Sequence, residues 1–229
     1  MSVAVAREGR GEALARILPF AVYIAVLAAG PSLRAALPAG WDGRWLYGAQ
    51  IAAVVLVLGL FVRAYTELRP LALGLREALE ATAGGIVVFV LWINLDFGWT
   101  VIGEAGTGFD PRTRSGDVDW ALAVLRIFGA AAVVPIMEEL FWRSFIMRWL
   151  DNPDFTRLSA AAASWRAILL SSVVFGIEHH QWLAGVLAGL AYGGLYMRSN
   201  TLWSPILAHA VTNLLLGLWV LRTGAWHFW

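Results

Sequence analysis

Apolar residues fill most of the chain in seven long stretches, each bounded by charged or turn-forming residues. The stretches run approximately from Ile17 to Leu33, Leu46 to Val62, Leu79 to Leu95, Trp120 to Met147, Ala167 to His180, Trp182 to Met197 and Leu202 to Leu221. A membrane-spanning helix needs about 20 mostly apolar residues, so most of these stretches are long enough to cross a bilayer. The pattern therefore predicts an all-α protein, a polytopic transmembrane bundle of about seven spans.

The fifth and sixth stretches are short and together predict a helical hairpin that turns at His179, His180 and Gln181. Two full spans would take more residues than this hairpin has, so its turn is predicted to lie within the membrane. Non-helical backbone is tolerated at that depth only when it is surrounded by protein or lines a water-filled cavity. The hairpin thus indicates a polar interior.

Composition agrees with a membrane protein, because 59% of the 229 residues are hydrophobic, 14% are charged and the mean hydropathy is +0.67. Soluble proteins average about 25% charged residues. The net charge of +1 shows no basic excess for nucleic acid, and the absence of cysteine excludes disulfides and thiolate chemistry. We expect one integral membrane domain over residues 1–229, whose first apolar stretch is retained as an anchor.

The arginines are distributed unequally between the two predicted sides of the membrane. Apart from Arg126 and Arg143 inside spans, ten fall on the N-terminal side (Arg7, Arg10, Arg16, Arg63, Arg69, Arg76, Arg148, Arg157, Arg166, Arg198) and five opposite (Arg34, Arg44, Arg112, Arg114, Arg222). Cytoplasmic loops carry the excess of basic residues, so the N-terminus is predicted to be cytoplasmic. Arginine without lysine and abundant alanine indicate a bacterial protein, hence the inner (plasma) membrane.

Two kinds of residue predict how the spans pack. Pro135 and Pro205 each remove a backbone donor within a predicted helix, and each is expected to kink it and open space. Gly185, Gly189 and Gly193 recur every fourth residue, which predicts a groove that lets a neighbouring helix approach closely.

Ionisable and amide side chains lie inside three of the spans, where they are costly and usually mark function. They are Glu138, Glu139 and Arg143 on the fourth stretch, Glu178, His179 and His180 on the fifth, and His209 with Asn213 on the seventh. An inert polar lock between helices is the other interpretation. A lock would not need two carboxylates and two separated imidazoles, so we favour a functional site.

Helical spacing divides these residues by role. Glu139 and Arg143 are four residues apart and predict an ion pair that shapes the site, whereas Glu138 faces a different direction and is the candidate general base. Phe175 is four residues before His179 and is expected to orient the imidazole. His209 and Asn213 share one helix face and can donate hydrogen bonds to a common point, which fits an oxyanion hole.

These residues resemble the three motifs of the CPBP family, which includes the Ras-converting CaaX endopeptidases. Glu138 to Arg143 corresponds to EExxxR, Phe175 to His179 to FxxxH, and His209 to Asn213 to HxxxN, in order and on separate apolar helices. The resemblance covers about residues 121–221. The segments Arg16 to Tyr23 and Trp41 to Leu68 also look like the CaaX-protease-related proteins linked to exosortase and PEP-CTERM sorting.

The resemblance implies an intramembrane endopeptidase that cleaves a membrane-associated protein or peptide without a cofactor. Glu138 and His179 would activate water, and His209 and Asn213 would stabilise the oxyanion. Two further interpretations stay open. One is a zinc site with Glu138, His179 and His209 as ligands, since a carboxylate and two imidazoles form a known catalytic set. The second is a non-enzymatic accessory or immunity protein. His180 is a possible substitute for His179.

Overall fold

The computed structural model describes residues 3–69, 71 and 73–229, with side chains described from residue 11 onward. The side chains of Arg7 and Arg10, which entered the arginine count, lie outside the described residues. Seven main helices are present in the described part of the chain and are numbered in order. They are α1 Val3–Ala35, α2 Leu46–Leu60, α3 Leu75–Asn94, α4 Trp120–Met147, α5 Trp165–Ile177, α6 Trp182–Ser199 and α7 Trp203–Thr223.

The all-helical bundle predicted from the apolar pattern is confirmed. In the described part of the chain, five helices are long and apolar enough to cross a membrane, and they correspond to α1, α2, α3, α4 and α7. Helix α5 has 13 residues and is too short by that measure. With a rise of about 1.5 Å per residue, it reaches roughly 20 Å, against a hydrocarbon core of about 30 Å.

Helix α4 lies at the centre of the bundle, where it contacts α1, α2, α5, α6 and α7. The side chain of Asp119 caps its first turn by accepting hydrogen bonds from the backbone of Ala121 and Leu122. The helix is interrupted by two π-helical segments, Gly129–Val133 and Leu140–Met147. Such segments are rare and are often found at functional sites.

Helix α5 ends just before the turn that the sequence predicts at His179, His180 and Gln181. It stops at Ile177, and the backbone N–H of His179 bonds to the carbonyl of Gly176 in a tight turn. His179 and His180 therefore lie in the turn between α5 and α6, as predicted, although the apolar stretch extends to His180. Their imidazoles are positioned by loop backbone, which helical periodicity cannot predict.

The predicted glycine groove on α6 is confirmed, because α5 packs directly against it. A Cβ atom on Gly185 would lie 2.8 Å from Cα of Gly176, and one on Gly189 would lie 2.7 Å from Cβ of Ser172. Any larger residue at these positions would push α5 away. The hairpin that carries His179 is thus fixed by contacts between helix backbones.

The α5–α6 turn is held by hydrogen bonds to α3 and to the loop that follows α3. His180 exchanges two hydrogen bonds with the backbone of Ile102, and Gln181 donates to the carbonyl of Trp92.

The prediction that Pro205 kinks a helix was wrong. Pro205 lies in the first turn of α7, where a backbone N–H has no partner within the helix. The missing N–H of Pro205 therefore removes no hydrogen bond from α7.

Candidate active site

Glu138, His179, His209 and Asn213 line one cavity of about 210 Å³ in the middle of the bundle. They reach it from three different elements: α4, the α5–α6 turn and α7. The four candidate catalytic residues of the sequence analysis are therefore neighbours in the fold, although up to 75 positions separate them in the chain. Trp92, Phe175 and Tyr192 supply aromatic walls of the cavity.

Glu138 and Glu139 are adjacent in sequence but point to different surroundings. Glu138 faces the cavity, whereas the side chain of Glu139 is completely buried. Oε2 of Glu139 lies 3.2 Å from Nε of Arg143, and Oε1 lies 2.9 Å from Nδ1 of His209. Glu139 thus forms the ion pair expected with Arg143, and it also holds the His209 ring.

The contact with Glu139 determines which nitrogen of His209 carries hydrogen. A carboxylate paired with arginine only accepts hydrogen bonds, so Nδ1 of His209 must be the donor. Nε2 is then directed away from Glu139 and lies 4.0 Å from Oε2 of Glu138. The ring also stacks on Tyr192, with centroids 5.1 Å apart. His209 is therefore positioned with Nε2 toward the reacting region.

His179 is oriented by backbone and by two aromatic rings. Its Nδ1 lies 2.7 Å from the carbonyl oxygen of Phe175, which only accepts, so Nδ1 carries the hydrogen and Nε2 is an acceptor when the ring is neutral. The Phe175 ring packs against the imidazole at 4.7 Å between centroids, and Trp92 meets it edge-on at 5.4 Å. The contact expected between Phe175 and His179 is present.

Arg143 connects the two halves of the site through its flat guanidinium. Its Cζ atom lies 4.5 Å from the ring centroid of Phe175 and 5.5 Å from that of Tyr192. These are the rings that pack against His179 and His209, respectively. Arg143 therefore neutralises Glu139 and supports both imidazoles, consistent with a site-shaping role.

Asn213 is positioned by the irregular part of α4. In the π-helical segment, the N–H of Val134 bonds to the carbonyl of Gly129, which leaves the carbonyl of Ala130 without its α-helical donor. The next donor in that register would be residue 135, but Pro135 has no N–H. Nδ2 of Asn213 donates to the Ala130 carbonyl instead, at 2.8 Å. This bond fixes the amide and leaves one N–H of Nδ2 free for another acceptor.

A second carboxylate lies beside the candidate base. Oxygen atoms of Glu138 and Glu178 and a ring nitrogen of His179 all lie within 4.8 Å of one another. His209 is not part of this group, so the three ligands predicted for a zinc site are not the three that come closest together. His180 lies outside the cavity and bonds to Ile102, so it is not positioned to substitute for His179.

Two groups at the cavity, Tyr192 and Arg126, were not among the predicted site residues. Tyr192 was not singled out, yet its hydroxyl donates to Thr212, which bonds to the carbonyl of Gly85, so its ring is held under His209. Arg126 was set aside as an arginine inside a span, but it also lines the cavity. The rule that ionisable residues within spans mark function applied equally to Arg126 and should have identified it.

Comparison with known proteins supports the motif match. The family described as "Type II CAAX prenyl endopeptidase Rce1-like" matches residues 120–215, the segment that contains every candidate catalytic residue. A protein named "Putative membrane peptidase YdiL" from Bacillus subtilis (strain 168) is 32% identical over 112 residues. That alignment covers 47% of this chain and only 43% of the relative. No solved structure matches the chain. The three motifs and the Rce1-like segment, residues 120–215, are therefore similar to those of the CPBP family.

Proposed function

We propose that the protein is an intramembrane endopeptidase that hydrolyses a peptide bond of a membrane-associated protein or peptide. One observation carries the proposal: Glu138, His179, His209 and Asn213 converge on a single cavity inside an Rce1-like segment. The cavity lies among apolar helices, so substrates that are themselves in or near the bilayer have the most direct access to it. We further propose that no metal takes part.

The first step of the proposed reaction is activation of water by Glu138 and His179. One water that donates two hydrogen bonds of about 2.8 Å, directed about 105° apart, bridges acceptors roughly 4.5 Å apart. A carboxylate oxygen of Glu138 and a ring nitrogen of His179 lie within 4.8 Å of each other, which is close to that separation. The water would donate one hydrogen to each acceptor, and Glu138 would take its proton as the oxygen attacks the substrate carbonyl.

The second step places negative charge on the substrate carbonyl oxygen. Asn213 has one N–H free after its bond to Ala130, and His209 can donate from Nε2 when it is protonated. Glu139 lies against the opposite nitrogen of that ring and fixes its orientation. The two donors would thus form the oxyanion hole, and the proton held by Glu138 would pass to the leaving amine.

Cleavage of a membrane-peptide library by protein purified in detergent tests this function. Glu138→Gln keeps the size of the side chain but removes the base, so we expect no cleavage from a folded protein. Glu104→Gln makes the same change on an exposed loop residue and should cleave like the parent. Full activity of Glu138→Gln would refute the catalytic assignment, and absence of cleavage by the parent would favour the accessory-protein interpretation.

A metal-dependent peptidase is the second candidate, and the close grouping of Glu138, Glu178 and His179 is the observation that favours it. Two carboxylates and an imidazole are suitable ligands for Zn²⁺. The metal-free scheme gives Glu178 no task, whereas the metal scheme makes it a ligand. Glu178→Gln therefore distinguishes the two schemes.

We also propose that the N-terminus faces the cytoplasm of a bacterial cell and that the chain lies in the inner membrane. The arginine asymmetry supports this orientation, which would place the Asp96–Asp119 loop outside. Reporter fusions to that loop test it. A fusion that is active only in the cytoplasm would reverse the orientation.

A further inference from the structure

Arg126 contributes a positive charge to the cavity, and nothing in the proposed reaction uses it. It lies on α4 and lines the cavity together with Glu138. Its Cζ atom lies 4.4 Å from the ring centroid of Tyr47 and 5.7 Å from that of Phe109. Its Nε atom is buried and has no hydrogen-bond partner among the described residues.

No carboxylate of a described side chain forms an ion pair with Arg126, in contrast to Arg16, Arg143 and Arg148 in the same bundle. A cation within a membrane protein is costly unless it is paired, and contacts with aromatic rings compensate only in part. Phe109, which packs against Arg126, also contacts Trp229, and Trp229 lines the cavity. The position therefore favours an anion brought by a ligand.

Geometry relates this charge to the proposed base. Arg126 and Glu138 are 12 positions apart on α4, and both line the one cavity. At about 1.5 Å per residue their Cα atoms are separated by roughly 18 Å along the helix. An extended peptide covers about 3.4 Å per residue, so this separation corresponds to about five residues.

We propose that Arg126 binds a carboxylate of the peptide substrate and so sets the distance between that carboxylate and the bond that is cleaved. The inference rests on the proposed function. Guanidinium can hold a carboxylate through two parallel hydrogen bonds, which fixes orientation as well as position. The carboxylate can be the C-terminal group of the substrate or an acidic side chain, and in either case it lies about five residues from the cleaved bond.

Paired peptides identify which carboxylate is bound. A cleaved peptide is compared with its C-terminal amide and with versions in which Asp or Glu near the cut is replaced by Asn or Gln. We expect one of these changes to raise KM by roughly tenfold to a hundredfold, the range expected for loss of a hydrogen bond between charged groups. If no such change alters KM, the proposal is wrong.

Substitution of the arginine completes the test. Arg126→Gln should raise KM for the carboxylate peptide but leave KM for its neutral version unchanged, and Arg126→Lys should restore part of the preference. Arg114→Gln, on the exposed loop, is the matched control and should behave like the parent. An equal loss for both peptides would mean a structural role and would overturn the proposal.

A binding measurement separates this proposal from the proposed function. Fluorescently labelled peptide is titrated into Glu138→Gln protein with and without Arg126→Gln, and fluorescence polarisation reports Kd without any turnover. We expect weaker binding of the carboxylate peptide in the double variant and equal binding of the neutral peptide. If the two proteins bind the carboxylate peptide equally, Arg126 is not its site, whether or not the protein is a peptidase.

Discussion

Nδ1 of His209 lies 2.9 Å from Oε1 of Glu139, although the two residues are 70 positions apart on different helices. The carboxylate that neutralises Arg143 on its own helix therefore also orients the histidine of α7. One buried group connects the first and third motifs of the family pattern. The roles of Glu138 and Glu139 differ because one faces the cavity and the other faces this network.

Glu139→Gln should destabilise the fold on the order of 3 kcal/mol, because Arg143 is 3% exposed and would lose its counter-ion. Unfolding of the purified protein in detergent measures the change. Turnover should fall as well, since the ring of His209 would lose the carboxylate that orients it. Glu104→Gln, on an exposed loop, should leave stability unchanged. Equal stability of the two variants would contradict the role assigned to Glu139.

Asn213→Ala should lower turnover about a hundredfold to a thousandfold, the usual cost of removing one oxyanion donor. It should also cost roughly 1–3 kcal/mol of stability, because the Ala130 carbonyl would lose its partner. Rates are measured with a cleaved peptide under saturating conditions. Leu214→Ala, at a half-exposed position on the same helix, is the control. Unchanged kcat in Asn213→Ala would remove this residue from the mechanism.

Pro135→Ala should reduce turnover by about tenfold or more in a folded protein. Alanine restores an N–H at position 135, which competes with Asn213 for the Ala130 carbonyl and releases the amide. Pro205→Ala is the matched control, because Pro205 lies in a first turn and frees no carbonyl. If both variants keep parental rates, the π-helical segment does not position Asn213.

Metal removal should leave activity intact if the metal-free scheme is right. After dialysis against a chelator, the parent should cleave at its original rate, and Glu178→Gln should keep most of its turnover. Loss of activity on chelation and its return with zinc, together with inactive Glu178→Gln, would establish Glu138, Glu178 and His179 as ligands. The peptidase function would stand in that case.

Glu67→Gln should cost roughly 1–3 kcal/mol, because Glu67 accepts from two nitrogens of Arg16 at 2.8 and 2.6 Å, while Glu12 remains as a second partner of that arginine. Burial would raise the pKa of Glu67, but the hydrogen bonds and charge of Arg16 hold it below its ordinary value. A carboxyl group whose pKa is lower in the folded than in the unfolded protein stabilises the fold at pH values above its unfolded pKa. This stabilisation is lost as the pH falls through its folded pKa. The free energy of unfolding of the parent should therefore decrease more at acidic pH than that of Glu67→Gln.

The sequence predicted the bundle well because membrane helices are set by length and hydropathy alone. Helix α4 spans the same residues, Trp120 to Met147, that its apolar pattern indicated. The hairpin turn at His179, His180 and Gln181 lies where the sequence predicted it, although the apolar stretch continues to His180, three residues past the end of α5 at Ile177. The link to exosortase systems stays a prediction.

The sequence predicted which residues form the candidate site, but not how residues of different helices bond to one another. Spacing of four predicted the contacts of Glu139 with Arg143 and of Phe175 with His179, which are local. The bond from His209 to Glu139 depends on how α4 and α7 pack, so no single-helix pattern contains it. The role of Pro135 was predicted as a kink, whereas the structure shows a π-helical segment and a carbonyl bound by Asn213.

The irregular segment from Gly129 to Pro135 has a consequence for protein engineering. Proline within a helix is disfavoured by about 3 kcal/mol relative to alanine, so a design procedure that rewards stability would replace Pro135 first. The same replacement supplies the donor whose absence orients Asn213. Stability and activity therefore oppose each other at this position. Thermostable variants of this protein should be sought by changes on the outer faces of α1 to α3, with residues 129–135 kept as they are.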